Sequence, residues 1–176
     1  MLAKLKLNNP NLKISYTLPV LPSGLDSNGM MLLSSAKSNG FTPDGISFSN
    51  VSSFYLYALI SFYIVVNIMA MDYGSYDAPQ GQTEMGTYAI KAIKAVRSQL
   101  DSSGFSSTTI GVTPMTGNND VQGETFTISN AQQLSKWCSS VEGQNAKVSL
   151  TSFWSLNRDS SESKPYSFSN VFNKVG

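Results

Sequence analysis

Histidine is absent from all 176 residues. That excludes Ser-His-Asp and Cys-His catalysis, histidine metal sites and imidazole acid–base chemistry. Cysteine occurs once, at Cys138, which excludes an intrachain disulfide and a multi-cysteine zinc site. Charge is scarce, at 13 % of residues, about half the usual share. Twelve basic side chains stand against 11 acidic ones, for a net charge of +1. No basic block exists to neutralise phosphates, so nucleic-acid binding has little support. The opening Met1-Leu-Ala-Lys-Leu-Lys-Leu is too short and too broken by lysine for a signal peptide. As written, the chain reads as cytosolic unless its true start is missing. What is plentiful is serine, with 29 residues, and a hydrophobic fraction of 41 %. The length fits one domain or a piece of a larger one. The remaining catalytic candidates are carboxylates, hydroxyls, amides, lysines and aromatics.

One run carries no charge at all, from Gly45 to Met71, and its centre from Phe54 to Val66 is almost wholly apolar. By length alone it could be a membrane-spanning helix. The alternatives are a buried helix or a pair of strands. Its richness in Tyr, Phe, Ser and β-branched residues, with no lysine or arginine close on either side, weakens the span.

Outside that run, strand and helix patterns alternate. Lys13 to Val20 reads as a buried strand closed by Leu21-Pro-Ser-Gly. Ser27 to Ser38 reads as a helix capped by Ser27, with Leu32, Leu33 and Ala36 inward and Gly40 ending it. Val65 to Met71 is an apolar strand. In the helix Thr83 to Leu100, Met85, Ala89, Ile93, Val96 and Leu100 form one stripe, with the lysines and Arg97 on other faces. Ser107 to Met115 reads as a strand, Ser129 to Val141 as a helix capped by Ser129, and Lys147 to Trp154 as a last strand. Leu134, Val141 and either Trp137 or Cys138 would face inward from that helix. The serine-rich tail after Ser155 reads as mostly irregular.

The order β-α-β-α-β-α-β implies parallel strands joined by crossover helices. A doubly wound sheet and a (β/α)8 barrel both use it. Neither G-x-G-x-x-G nor G-x-x-x-x-G-K-[ST] follows the first strand, so nucleotide-binding versions lose support. Polar and aromatic residues gather just past strand ends, at Asp72-Tyr73, Thr116 to Asp120, and Trp154 to Asn157. In a barrel those positions form the catalytic face. Four strands and three helices predict half of a barrel.

Four segments then become recognisable: Lys13-Ile-Ser-Tyr-Thr-Leu-Pro-Val-Leu-Pro-Ser-Gly, Val65-Val-Asn-Ile-Met-Ala-Met-Asp-Tyr-Gly, Ile110-Gly-Val-Thr-Pro-Met and Phe153-Trp-Ser-Leu-Asn-Arg-Asp. Together they resemble glycoside hydrolase family 18, in particular microbial chitinase-like catalytic domains. The resemblance runs from about Asn8 to Asn173, apart from 45–64. It implies strands five to eight of a partial (β/α)8 TIM barrel with their helices, an incomplete catalytic domain over 1–176. It also implies hydrolysis of β-1,4-linked N-acetylglucosamine polymers, with chitin or its oligosaccharides as partner, secretion of the full-length form, and neither cofactor nor metal. The family mechanism is substrate-assisted and retaining: a glutamic acid protonates the leaving oxygen while the substrate's acetamido oxygen attacks C1. The acid belongs to a D-x-x-D-x-D-x-E pattern after strand four, which this sequence does not contain. The chain alone is therefore expected to be inactive, and its half barrel to leave open sheet edges prone to aggregation.

Asp72 matches the aspartate of the family's M-x-Y-D motif, where a carboxylate holds the acetamido N–H and stabilises the transition state; an N-cap or turn aspartate is the alternative. Met71 replaces the motif's tyrosine, and Tyr73 next to it is a candidate hydroxyl. Met69 matches the motif's methionine, either lining the sugar floor or filling the core. Trp154 matches the tryptophan after strand eight on which a sugar stacks. Met115 and Asn119 line the cleft after strand seven. Arg158-Asp159 reads as a structural pair below the cleft. Asp120 and Glu124 do not have the spacing of a two-carboxylate glycosidase pair, and a solvated loop explains them better.

Residues 45–64 are extra relative to the family. Gly45 written GGT and Ile64-Val65 written ATA-GTT would supply splice signals, and excision would join Asp44 to a valine in frame. The segment thus reads as a non-family insertion, a translated intron. The sequon Asn50-Val51-Ser52 falls inside it. Two alternatives to the hydrolase remain: a non-catalytic carbohydrate-binding remnant, and a single-span membrane protein through 51–71.

Overall fold

The computed structural model describes residues 8–9, 12, 14–39, 41–42, 45–46 and 64–173. Four strands, β1 (Ile14–Pro19), β4 (Ile64–Ala70), β5 (Thr109–Pro114) and β8 (Val148–Thr151), form one sheet in the order β1-β4-β5-β8. Every pairing in it is parallel. Spatial order follows chain order, so each crossover steps one place in the same direction. Two small antiparallel ladders accompany the sheet: β2 (Phe41–Thr42) with β3 (Gly45–Ile46), and β6 (Gly117–Asn118) with β7 (Thr125–Phe126). The helices are α1 (Ser27–Ser38), α2 (Met85–Ser102), α3 (Ile128–Cys138), α4 (Val141–Asn145), α5 (Leu156–Ser160) and α6 (Ser167–Phe172).

Strand side chains alternate between two faces. Val66, Ile68, Ala70, Ile110 and Val112 are wholly buried, as are Met85, Ala89, Ile93, Val96 and Leu100 of α2. The stripe expected for α2 is thus the one buried, although the helix begins two residues later than its periodicity suggested. The other face of the sheet carries Thr17, Asn67, Thr113 and Ser152 in a hydrogen-bonded row. Asn67 Nδ2 donates to Thr17 Oγ1 at 3.4 Å and Thr113 Oγ1 to Asn67 Oδ1 at 3.0 Å. The Thr113 and Ser152 hydroxyls lie 2.6 Å apart.

Several local expectations are corrected. Asp26, not Ser27, caps α1, accepting from the Gly29 amide at 2.8 Å; a carboxylate one residue earlier outcompetes the hydroxyl. Leu33 is buried on α1, whereas Leu32 is 41 % exposed. Thr127, not Ser129, caps α3 in a reciprocal box with Asn130. That helix stops at Cys138; Ser140 caps the separate α4, and Val141 is exposed. Gly143 allows this break, because a Cβ there would lie 2.4 Å from the Trp137 carbonyl oxygen. Arg97 is buried, not on an outer face. Its Nη1 donates to the Thr108 carbonyl at 2.6 Å and its Nη2 to that of Phe105 at 3.0 Å.

The tail is not irregular. It forms α5 and α6, and Phe168 and Phe172 pack near Phe126 and Phe153. The uncharged run gives β3 at its start and β4 near its end; residues 47–63, including the sequon and most of 45–64, lie outside the described residues. No helix among the described residues is long and apolar enough to cross a membrane.

Candidate functional site

A cleft of about 690 Å³ opens at the carboxyl ends of the four parallel strands. Ligand sites of parallel α/β sheets lie at such ends. The strands contribute mostly by alternation: Thr17, Pro19 and Leu21, with Val20 between them, from β1 and its turn, Met69 and Met71 from β4, Thr113 and Met115 from β5, and Trp154 after β8. Asp26, Asp72 and Asp120 complete the rim.

Asp72 follows β4 directly and holds a left-handed backbone at φ 54°. Its Oδ1 accepts the Val121 amide at 3.0 Å, and its Oδ2 has no protein donor among the described residues. This half-buried carboxylate can therefore accept a hydrogen bond from a ligand. Trp154 is 59 % exposed. Its backbone is fixed on both sides, by its own amide to the Pro114 carbonyl and by the Thr116 amide to its carbonyl, each at 2.8 Å. The strands thus present a large indole face to the cleft without burying it. Met69, Met71 and Met115 give the same cleft apolar lining. Five of the seven residues singled out from the sequence, namely Asp72, Trp154, Met69, Met71 and Met115, are gathered here.

Tyr73 and Asn119 are not among the lining residues. The Tyr73 ring is buried, edge-on to Tyr88 at 6.4 Å. Burial and then the charge of Glu124 push its phenol pKa upward, so it stays protonated. Asn119 is buried and donates from Nδ2 to Glu124 Oε2 at 3.2 Å. Both surround Glu124, which is itself only 3 % exposed. The solvated-loop reading of Glu124 is therefore corrected; it fits Asp120 alone. Arg158 and Asp159 do not pair with each other. Arg158 bridges to Asp120 at 3.0 Å and to the carbonyls of Thr116 and Asn118. Asp159 is wholly buried and accepts from the Phe168 and Ser169 amides at 2.8 and 2.9 Å.

Thr17, Pro19 and Thr113 went unnoticed in the sequence. The signal that finds them is the two-residue step: Asn67, Met69 and Met71 share one face, so Gly111, Thr113 and Met115 must share the next. Among the described residues, no group of three or more His, Cys, Asp or Glu side chains is placed to hold a metal ion.

The chain is 33 % identical over 166 residues to endochitinase 11 of Metarhizium anisopliae and, to the same extent, to a probable bifunctional chitinase/lysozyme of Escherichia coli K12. Each match takes in 89 % of this chain but only 27 % and 16 % of the relatives. The chain therefore spans about a quarter and about a sixth of their lengths. No family model matches it, and no solved structure does. A chitinase-like relationship is supported by this identity across most of the chain.

Proposed function

We propose that this chain is the carboxyl-terminal half of a chitinase-like glycoside hydrolase domain of family 18, and that its cleft binds N-acetylglucosamine units. The four strands are then one arc of a (β/α)8 barrel, with the polar row of Thr17, Asn67, Thr113 and Ser152 facing its interior. The observation that carries this reading is that Asp72 and an exposed Trp154 line one cleft at the carboxyl edge of a parallel sheet. The Trp154 indole stacks on the apolar face of a pyranose. The free Asp72 oxygen accepts the acetamido N–H, turning the acetamido oxygen toward C1 and stabilising the positive charge that develops as it attacks. The methionine lining excludes water beneath the ring. The proton donor to the leaving oxygen lies outside these residues, so the chain alone binds without cleaving. Residues 45–64 are read as an insertion foreign to the domain, and sequencing the transcript across those codons tests that part.

Calorimetric titration of the chain with N-acetylchitotetraose is the experiment. Binding is expected, with W154A and D72N each weakening it about tenfold or more, as loss of one stacking surface or one charge-assisted hydrogen bond implies. Binding that neither substitution alters would refute the assignment.

A further inference from the structure

We infer that Glu124 is the positioning residue for Asp72. This rests on the reading of the cleft as an N-acetylglucosamine site, and it concerns how that site is held in shape.

Asp72 occupies a left-handed conformation, uncommon for residues with a Cβ although aspartate adopts it more readily than most, and neighbouring contacts support it. The support comes immediately after it. The Tyr73 amide donates to Glu124 Oε2 at 3.2 Å and the Gly74 amide to Glu124 Oε1 at 2.6 Å. Two successive N–H groups thus converge on one carboxylate, which fixes the direction in which the chain leaves Asp72. Asn119 Nδ2 adds a third donor at 3.2 Å. Glu124 forms no ion pair among the described residues, so these neutral donors are what stabilise its buried charge. The room for it is specific too: a Cβ on Gly81 would stand 2.6 Å from Glu124 Cγ.

The contact is reciprocal. Glu124 belongs to the β6–β7 hairpin, closed by the Asn119 amide on the Glu124 carbonyl at 3.0 Å. That hairpin returns the Val121 amide to Asp72 Oδ1 at 3.0 Å. One carboxylate therefore holds the backbone around Asp72, while Asp72's own carboxylate holds the hairpin. From the other side, Arg158 grips the same hairpin at Thr116, Asn118 and Asp120, four residues beyond Trp154. The hairpin thus sets the spacing between the carboxylate and the indole. Glutamine at position 124 keeps the volume but offers one acceptor where two amides need one each.

A double-mutant cycle tests this. N-acetylchitotetraose affinity would be measured for the wild-type chain, E124Q, D72N and the double variant, with the exposed E142Q as control. We expect E124Q to weaken binding about tenfold, the loss to vanish in the D72N background, and E142Q to bind as wild type. Wild-type affinity in E124Q, or an undiminished loss in the D72N background, would overturn the inference. Absence of binding by the wild type would instead refute the sugar site. In that case the positioning is read without ligand, from the Asp72 Cα shift and the Gly74 amide exchange. Both should change in E124Q, and an Asp72 that stays left-handed there would overturn it. If E124Q does not fold, the wild type still carries a readout: a scalar coupling from the Gly74 amide to the Glu124 carboxyl carbon, whose absence contradicts the contact.

Discussion

Arg97 shows how a charged side chain can serve a core. Its stem runs along the buried stripe of α2, and its guanidinium closes the turn into β5 by taking the carbonyls of Phe105 and Thr108. Asp101 balances its charge at 2.8 Å from the exposed side. Arg97→Ala would take the guanidinium from the Thr108 carbonyl, leave that of Phe105 with the Thr108 amide alone and open a cavity, so a loss of about 2–3 kcal/mol is expected; urea unfolding would measure it, and an unchanged midpoint would contradict the role. A helical wheel cannot separate this arginine from the neighbouring lysines, because the deciding partners lie in a turn that the periodicity does not reach. Glu124 is the same case: besides Asn119 five residues before it, the amides it holds, those of Tyr73 and Gly74, lie about 50 residues away. Asp72 and Trp154 were legible because their local motifs place them at strand ends, and strand ends in a parallel sheet face the cleft.

Among the elements, β4, α2 and β5 were the most legible, since apolar periodicity and burial coincide along them. Caps were less so. Around α3, Thr127 and Ser129 are both suitable residues, each followed at the third position by an amide side chain, Asn130 or Gln132, so the sequence alone does not single out the Thr127–Asn130 box that forms. The tail was least legible. Its serines suggest an irregular segment, yet Asp159 organises it by accepting two amides and the Ser169 hydroxyl at the start of α6. A buried capping aspartate is indistinguishable in sequence from a surface one. Asp159→Ala is expected to lower stability by about 3 kcal/mol, because it leaves buried amides without partners. Limited proteolysis beyond Lys164 should accelerate in the same variant, and an equally resistant tail would contradict the account.

For the whole molecule, the alternation of strands and helices predicts a parallel α/β sheet, and the observed sheet order follows it. The molecule's alkaline stability carries a signature of its core. Burial pushes the Cys138 thiol from its ordinary value near 9 up to about 12. Between those values the unfolded chain has released a proton that the folded chain keeps, so folding stability falls as pH rises. Unfolding midpoints should decline more steeply from pH 9 to 11 in the wild type than in C138A; parallel curves would contradict this. At neutral pH the same burial should leave the thiol nearly inert to iodoacetamide until the chain unfolds.

The central claim is that the cleft beside Asp72 and Trp154 receives N-acetylglucosamine units. The sequence holds two tryptophans, and they report from opposite situations. Trp137 Nε1 donates to Glu142 at 2.7 Å and is not among the cleft-lining residues, whereas Trp154 is. The most direct measurement is the indole N–H region of the NMR spectrum during titration with N-acetylchitotetraose. The account predicts that the Trp154 resonance shifts and saturates while that of Trp137 stays in place. A Trp154 resonance that does not move at saturating sugar would contradict it.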